Sequence, residues 1–176
     1  KIALFCNVSD NCVITALDVA SIYEVPLNFH NEGLDERIIE RLNIWTRQPD
    51  LKPWQNLVEK LKAPRATLRL GLVGKYVSLK ESYKSLNEAI THAGLAQDVK
   101  VEVVYIDPEE LEETPEKVEA RLGDLQALIV PGGFGSRGTE GKILAVRYAR
   151  EKKLPFLGIC LGMQLAVIEY ARHCAG

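Results

Sequence analysis

The 176 residues are 47% hydrophobic and 26% charged, which is the make-up of a globular chain and excludes disordered and fibrous architectures. Twenty-two basic side chains stand against 24 acidic ones, a net charge of -2, so a nucleic-acid partner held by a bulk basic surface is not expected. No apolar run approaches the roughly 20 residues needed to span a bilayer, and no membrane partner is expected either.

The chain opens on Lys1-Ile-Ala-Leu-Phe-Cys6 without a methionine. Its apolar run Ile2 to Phe5 has the character of a strand, and the expectation is a fragment of a longer protein. The segment Val13 to Val19 follows, then Leu34 to Ile44, where Ile38, Ile39, Leu42 and Ile44 recur at helical spacing. One strand and one or two helices cannot close a core, so residues 1–45 are expected to be the tail of a preceding domain. Three prolines (Pro49, Pro53, Pro64) mark residues 46–67 as an interdomain linker, with a short amphipathic helix over Trp54 to Leu61.

From Leu68 the pattern becomes regular. Strands are expected at Leu68–Val73, Val99–Ile106, Ala127–Val130 and Phe156–Ile159. Helices are expected at Glu81–Leu95, Thr114–Leu122, Thr139–Lys152 and Leu161–Arg172. Such alternation predicts an α/β fold over 68–176, a doubly wound, mostly parallel sheet with right-handed crossovers.

Ligands of such sheets sit beyond the carboxyl ends of the strands. Three loops lie there: Gly74-Lys75-Tyr76, Pro131-Gly-Gly-Phe-Gly-Ser-Arg-Gly138, and Gly158-Ile-Cys160-Leu-Gly162-Met-Gln164. The spacing Gly158-x-Cys160-x-Gly162 is that of a nucleophile elbow, a tight strand-to-helix turn that lifts a nucleophile above the sheet. The helix dipole and unpaired N–H groups at that point favour negative charge, and the N–H of Leu161 is placed to stabilise an oxyanion. Consecutive glycines at 132 and 133 let backbone N–H groups converge on an oxyanion or phosphate. Neither Gly71 to Lys75 nor Gly138 to Lys142 has the spacing of a phosphate-binding Walker loop. Arg137 and Lys142 also admit an ordinary reading as solvent-facing charges.

A cysteine nucleophile needs a base. His30 falls in the first stretch, His92 late in a helix, and His173 about three turns down the helix that follows Cys160. None is placed to serve. Cys6 has the context of a buried small hydrophobe, and no CxxC pair or secretory leader occurs, so free thiols in a cytoplasmic setting are expected.

Pro131-Gly-Gly-Phe-Gly135 together with Phe156-Leu-Gly-Ile-Cys160-Leu-Gly-Met-Gln-Leu165 resembles the class I glutamine amidotransferase family, whose fold is flavodoxin-like. Lys1 to Cys6, Asp18 to Pro26, Val73-Gly-Lys-Tyr76 and Arg137-Gly-Thr-Glu-Gly141 resemble, in order and approximate spacing, the CTP synthase family in particular. The resemblance covers essentially the whole chain. It implies the end of an α/β synthetase domain, a linker, and the first half of a glutaminase domain. It implies a ligase that aminates UTP to CTP with ATP, drawing ammonia from glutamine. Magnesium would accompany the ATP with ligands outside this chain, so none of its residues is expected to bind metal. GTP would be an allosteric activator.

Carried over by the resemblance, Cys160 is the nucleophile, and Gly133 and Leu161 supply oxyanion N–H groups. Leu161, Gly162, Met163 and Gln164 line the glutamine site. Lys75, Tyr76, Phe134 and Arg137 match positions of the GTP effector site and its lid. Lys1 matches a lysine contacting UTP or CTP, and Leu17, Asp18 and Val19 match the ATP adenine segment. Leu17 stands where the resemblance implies lysine. The resemblance also implies a homo-oligomer, a tetramer or filament, and a fragment inactive in CTP formation on its own. Two rivals are the glutaminase of another class I amidotransferase and a non-catalytic flavodoxin-like binding module.

Overall fold

The computed structural model describes residues 1–75, 80–133 and 135–175. They form two compact units, Lys1–Ala63 and Pro64–Gly176. Among the described residues no helix is long and apolar enough to cross a membrane.

The first unit is helical. The opening run expected as a strand is the helix α1 (Ile2–Cys6), closed by Asn7 in the left-handed conformation at φ 52°. Five apolar residues carry too little periodicity to separate the two forms, and no strand neighbour lies in this unit to pair with them. Val13 to Val19 has no regular structure. Helix α2 (Val25–Asn31) carries Pro26 in its first turn, which its fixed φ suits. Helix α3 (Leu34–Leu42) is the amphipathic segment read from the sequence. His30 and Asp35 join α2 to α3 through a 2.7 Å contact, and this bond holds the Asp35 carboxyl below the usual carboxylate range.

Within the stretch expected as a linker, α4 (Lys52–Lys62) is longer than predicted, and the Lys52 N–H donates to the Asp50 carboxylate at 3.1 Å in the turn that leads into it. It packs inside the first unit through buried Val58 and the 2.9 Å Lys62–Glu24 pair. The prolines bracket and start the short helix expected here, which extends to 11 residues.

The second unit is the α/β fold. Its elements are β1 (Ala66–Val73), α5 (Lys84–Ala96), β2 (Val99–Ile106), α6 (Pro108–Glu113), α7 (Val118–Leu122), β3 (Ala127–Val130), α8 (Thr139–Lys152), β4 (Phe156–Gly158) and α9 (Leu161–His173). The strands form one parallel sheet in the order β2-β1-β3-β4. Helix α6 escapes a periodicity reading because Pro-Glu-Glu-Leu-Glu-Glu carries one apolar side chain. Its start is nonetheless written as Asp107 followed by Pro108, and the Asp107 carboxylate accepts the Glu109 N–H at 2.9 Å.

Alternation along the strands sends side chains to two cores. Leu70 and Ile129 pack with Ile90 of α5 on one face. Val73, Leu128 and Val130 pack with Leu111, Leu122, Ala145, Val146 and Ala149 on the other, under α6, α7 and α8. From β1 the chain leaves toward β2 by way of α5, and from β3 toward β4 by way of α8. The connections therefore part at the β1–β3 boundary, where open sheets of this kind receive their ligands.

Leu128, 1% exposed in the larger core, cannot be shortened without leaving a void. Leu128→Ala is expected to lower stability by about 2–5 kcal/mol in denaturant unfolding, with the folded spectrum retained.

Candidate active site

The elbow begins where β4 ends. Gly158 lies opposite Val130 of β3, and the Ile159 N–H donates to the Val130 carbonyl at 3.0 Å. The Gly162 N–H then donates to the Ile159 carbonyl at 2.9 Å, and the Gln164 N–H to the Cys160 carbonyl at 3.2 Å, so the chain turns from strand to helix within four residues. Two close approaches require glycine. A Cβ on Gly158 would stand 2.6 Å from the Met163 nitrogen, and one on Gly162 would collide with the Val130 carbonyl.

That turn puts Cys160 at φ 53°, ψ -109°, in the half of conformational space that side chains rarely enter. Cys160 is exposed and precedes the first turn of α9. The first N–H groups of an α-helix find no acceptor inside it, and that of Leu161 opens this one. Across from the thiol runs the glycine loop after β3. A Cβ built on Gly132 would lie 3.4 Å from the Cys160 Cβ and 3.9 Å from its Sγ. Gly133 follows at φ 129°, where open space surrounds it and only the backbone conformation asks for glycine. The arrangement presents an exposed thiol beside backbone amides, suited to nucleophilic attack on a carbonyl.

The structure thus brings Cys160, Leu161, Gly162 and Gln164 together with Gly132 and Gly133. Met163 is exposed over an apolar groove of about 420 Å³ formed with Ala166, Val167 and Tyr170. Lys75 comes to the same end of the sheet, its Nζ 2.8 Å from where a Cβ on Gly135 would stand. Arg137 is exposed and pairs with Glu109 of α6. Tyr76 and Phe134 lie outside the described residues. Lys1 and Asp18 are exposed, Leu17 is 61% exposed and Val19 half-buried, all in the first unit.

The two histidines of this unit are carried on other parts of the fold. His92 rides on α5, which covers the opposite face from α8. His173 closes the far end of α9, where its Nδ1 lies 2.9 Å from the Glu169 carbonyl and 3.3 Å from the Glu169 carboxylate. Among the described residues no three His, Cys, Asp or Glu side chains gather as a metal-binding group.

Two buried charges went unread in the sequence. Glu169 of α9 is 1% exposed and receives both arms of Arg150 of α8 at 2.8 and 2.9 Å, which pins α9 to its neighbour. Lys142, open to reading as a solvent-facing charge, is 0% exposed. Its place on the Lys142, Val146, Ala149 stripe of α8 was the clue, since that stripe faces the core. Burial, reinforced by the positive charge of Lys75, holds its ammonium below the usual lysine range.

A glutamine amidotransferase class-I family model matches residues 78–175, and a CTP synthase N-terminus model matches residues 1–44. The CTP synthase of Geobacter sulfurreducens is 58% identical over 100% of this chain and 33% of its own length. That of Trichlorobacter lovleyi is 56% identical over the same shares. The chain therefore spans about one third of the length of the curated relatives it matches. Among solved structures, the glutaminase domain of Trypanosoma brucei CTPS with bound acivicin superposes at TM-score 0.57 and 40% identity. It covers 62% of this chain and 42% of its own.

Two outcomes follow from the packing. Gly158→Ala forces the first turn of α9 away from β4 and should lower stability by about 1–3 kcal/mol in thermal or denaturant unfolding. Lys142→Met removes a buried, acceptorless ammonium and should raise stability near neutral pH by about 1–3 kcal/mol. A lysine titrating lower in the folded than the unfolded chain leaves the unfolded chain with more protons between the two values. Wild-type stability therefore climbs with pH across that window, and the advantage of Lys142→Met should shrink toward the ordinary lysine value.

Proposed function

Because the chain belongs to the class-I glutamine amidotransferase family, we propose that it carries the nucleophile side of a glutaminase site serving the amination of UTP to CTP. The observation that carries the reading is Cys160 at positive φ on the strand–helix turn, with Gly132 against its thiol. The Cys160 Sγ attacks the side-chain amide carbon of glutamine. As the carbonyl oxygen gains charge, the N–H groups of Gly133 and Leu161 donate to it. The carbon–nitrogen bond breaks, the nitrogen leaves as ammonia with the proton it receives, and water cleaves the thioester to glutamate and free thiol. Gly162, Met163 and Gln164 line the substrate, Gln164 offering its exposed side-chain amide.

The synthetase reaction activates the 4-oxygen of UTP with ATP, and ammonia displaces phosphate. The CTP synthase N-terminus match and the relatives' names support this half. Lys1 would contact UTP or CTP, and Leu17, Asp18 and Val19 would contact ATP. Lys75, Tyr76, Phe134 and Arg137 would receive GTP as effector. The base that serves Cys160, and whatever holds Mg²⁺, fall in this reading within the two thirds of the relatives' length that the chain does not match. A homo-oligomer, tetrameric or filamentous, and a cytoplasmic location belong to the same reading.

The test uses a protein of the relatives' full length carrying this segment. Cys160→Ala should abolish CTP formation from glutamine, a loss of about 10³-fold or more, while formation from added ammonia persists. Equal loss of both activities, or none of either, would overturn the assignment.

A further inference from the structure

Helix α9 starts at Cys160 but is held by few side chains. Its buried residues are Gly162, Leu165 and Glu169, one stripe at spacings of three and four. Leu161 and Ala166 are half-buried, while Met163, Val167 and Tyr170, away from that stripe, are exposed. Gly162 offers the Val130 carbonyl a surface without a side chain, and Leu165 makes apolar contact, which is non-directional. Neither fixes how far α9 slides along its axis or turns about it. The third member of the stripe does. Arg150 donates through Nε to one oxygen of Glu169 at 2.9 Å and through Nη2 to the other at 2.8 Å, a planar fork that tolerates little displacement.

Arg150 stands in the last turn of a helix that is itself well anchored, since α8 buries six of its residues. The N-cap of α8 is Gly138, the end of the glycine loop that begins at Pro131. Thr139 ties that loop to the helix by donating its hydroxyl to the Gly135 carbonyl at 3.1 Å. The two helices thus begin at the two halves of the site, α8 at the loop of Gly132 and Gly133, and α9 at Cys160 and Leu161. Whatever fixes one helix against the other sets the Gly133 and Leu161 peptides relative to the thiol. A second pair joins the same helices, Arg172 donating to both oxygens of Glu140 at 2.9 and 3.1 Å, but it is exposed and water competes with it.

We propose that Arg150 and Glu169 are positioning residues for the glutaminase step, their pair setting the register of α9 against α8 and so aligning the Gly133 and Leu161 N–H groups on one oxyanion. The inference rests on the glutaminase reading given above. A buried ion pair is a poor source of stability, because replacing both partners with apolar side chains of similar size is often neutral or stabilising. It is a good means of fixing geometry, and the geometry here is tight. Glu169 lies nine residues beyond Cys160, about 13 Å down the helix, and an intact helix carries an axial displacement from one end to the other. An oxyanion donor acts at about 2.7–3.1 Å, so a slip of about 1 Å removes it. Misplacement on that scale costs up to about 10²-fold in rate.

The test uses the same full-length protein as Cys160→Ala, with both partners replaced together, Arg150→Met with Glu169→Leu. Expected are a denaturant midpoint no lower than that of the wild type and unchanged CTP formation from added ammonia. The kcat from glutamine should fall by about 10- to 100-fold at nearly constant KM, the mark of an interaction made only in the transition state. Arg150→Lys keeps the charge and loses the fork, and its kcat from glutamine should fall by about threefold to tenfold with ammonia-dependent formation intact. Wild-type kcat from glutamine in either variant, or a raised KM at unchanged kcat, would overturn the positioning role. Loss of ammonia-dependent formation in both variants would overturn it too, since the pair would then serve folding alone. If Cys160→Ala leaves glutamine-dependent formation intact, the glutaminase reading falls. If Cys160→Ala removes it and the double variant does not lower it, only the positioning role falls.

Discussion

Where β4 gives way to α9, backbone approaches backbone without a side chain between them, and the rest of the site follows from it. The carbonyl of Val130 on β3 lies against Gly162 in the first turn of α9, and Gly158 at the end of β4 lies against the Met163 nitrogen. A methyl group at either glycine would push α9 off the sheet. With both absent, the turn closes in four residues, and Cys160 is left in a conformation that costs of order 1–3 kcal/mol. The remainder of the unit supplies that energy: a parallel sheet buried on both faces, and the Arg150–Glu169 pair that ties α9 to α8.

The same constraint explains the company Cys160 keeps. Because β4 pairs with β3 in register up to Gly158, the loop after β3 must pass beside the elbow. Gly132 meets the thiol, and Gly133 follows at a positive φ that points to a role for its peptide rather than for a missing side chain. Near the same end, β1 delivers Lys75. One end of one sheet therefore gathers the Cys160 thiol over β4 and the Lys75 ammonium from β1.

Much of this was legible in the sequence because it rests on local rules. The strands Val99–Ile106 and Ala127–Val130 and the helix Thr139–Lys152 have the bounds that periodicity and turn residues predict. The elbow was legible because glycine spacing around Cys160 encodes a steric demand. What escaped depends on tertiary context. Ile2 to Cys6 is equally apolar as helix or strand, and α6 is mostly acidic. Glu169 and Lys142 were hidden by the expectation that charged side chains face water. Only the partner Arg150 for the first, and the stripe shared with Val146 and Ala149 for the second, place them inside.

The central claim is geometric: Cys160 attacks a carbonyl whose oxygen is received by the Gly133 and Leu161 peptides. The most direct measurement is a crystal structure of the chain after reaction with a glutamine-analogue electrophile. The account predicts a covalent bond at the Cys160 Sγ, with the oxygen of the adduct within about 3 Å of both N–H groups. An adduct on Cys6, Cys12 or Cys174 with Cys160 unmodified, or one at Cys160 whose oxygen points away from both peptides, would contradict it.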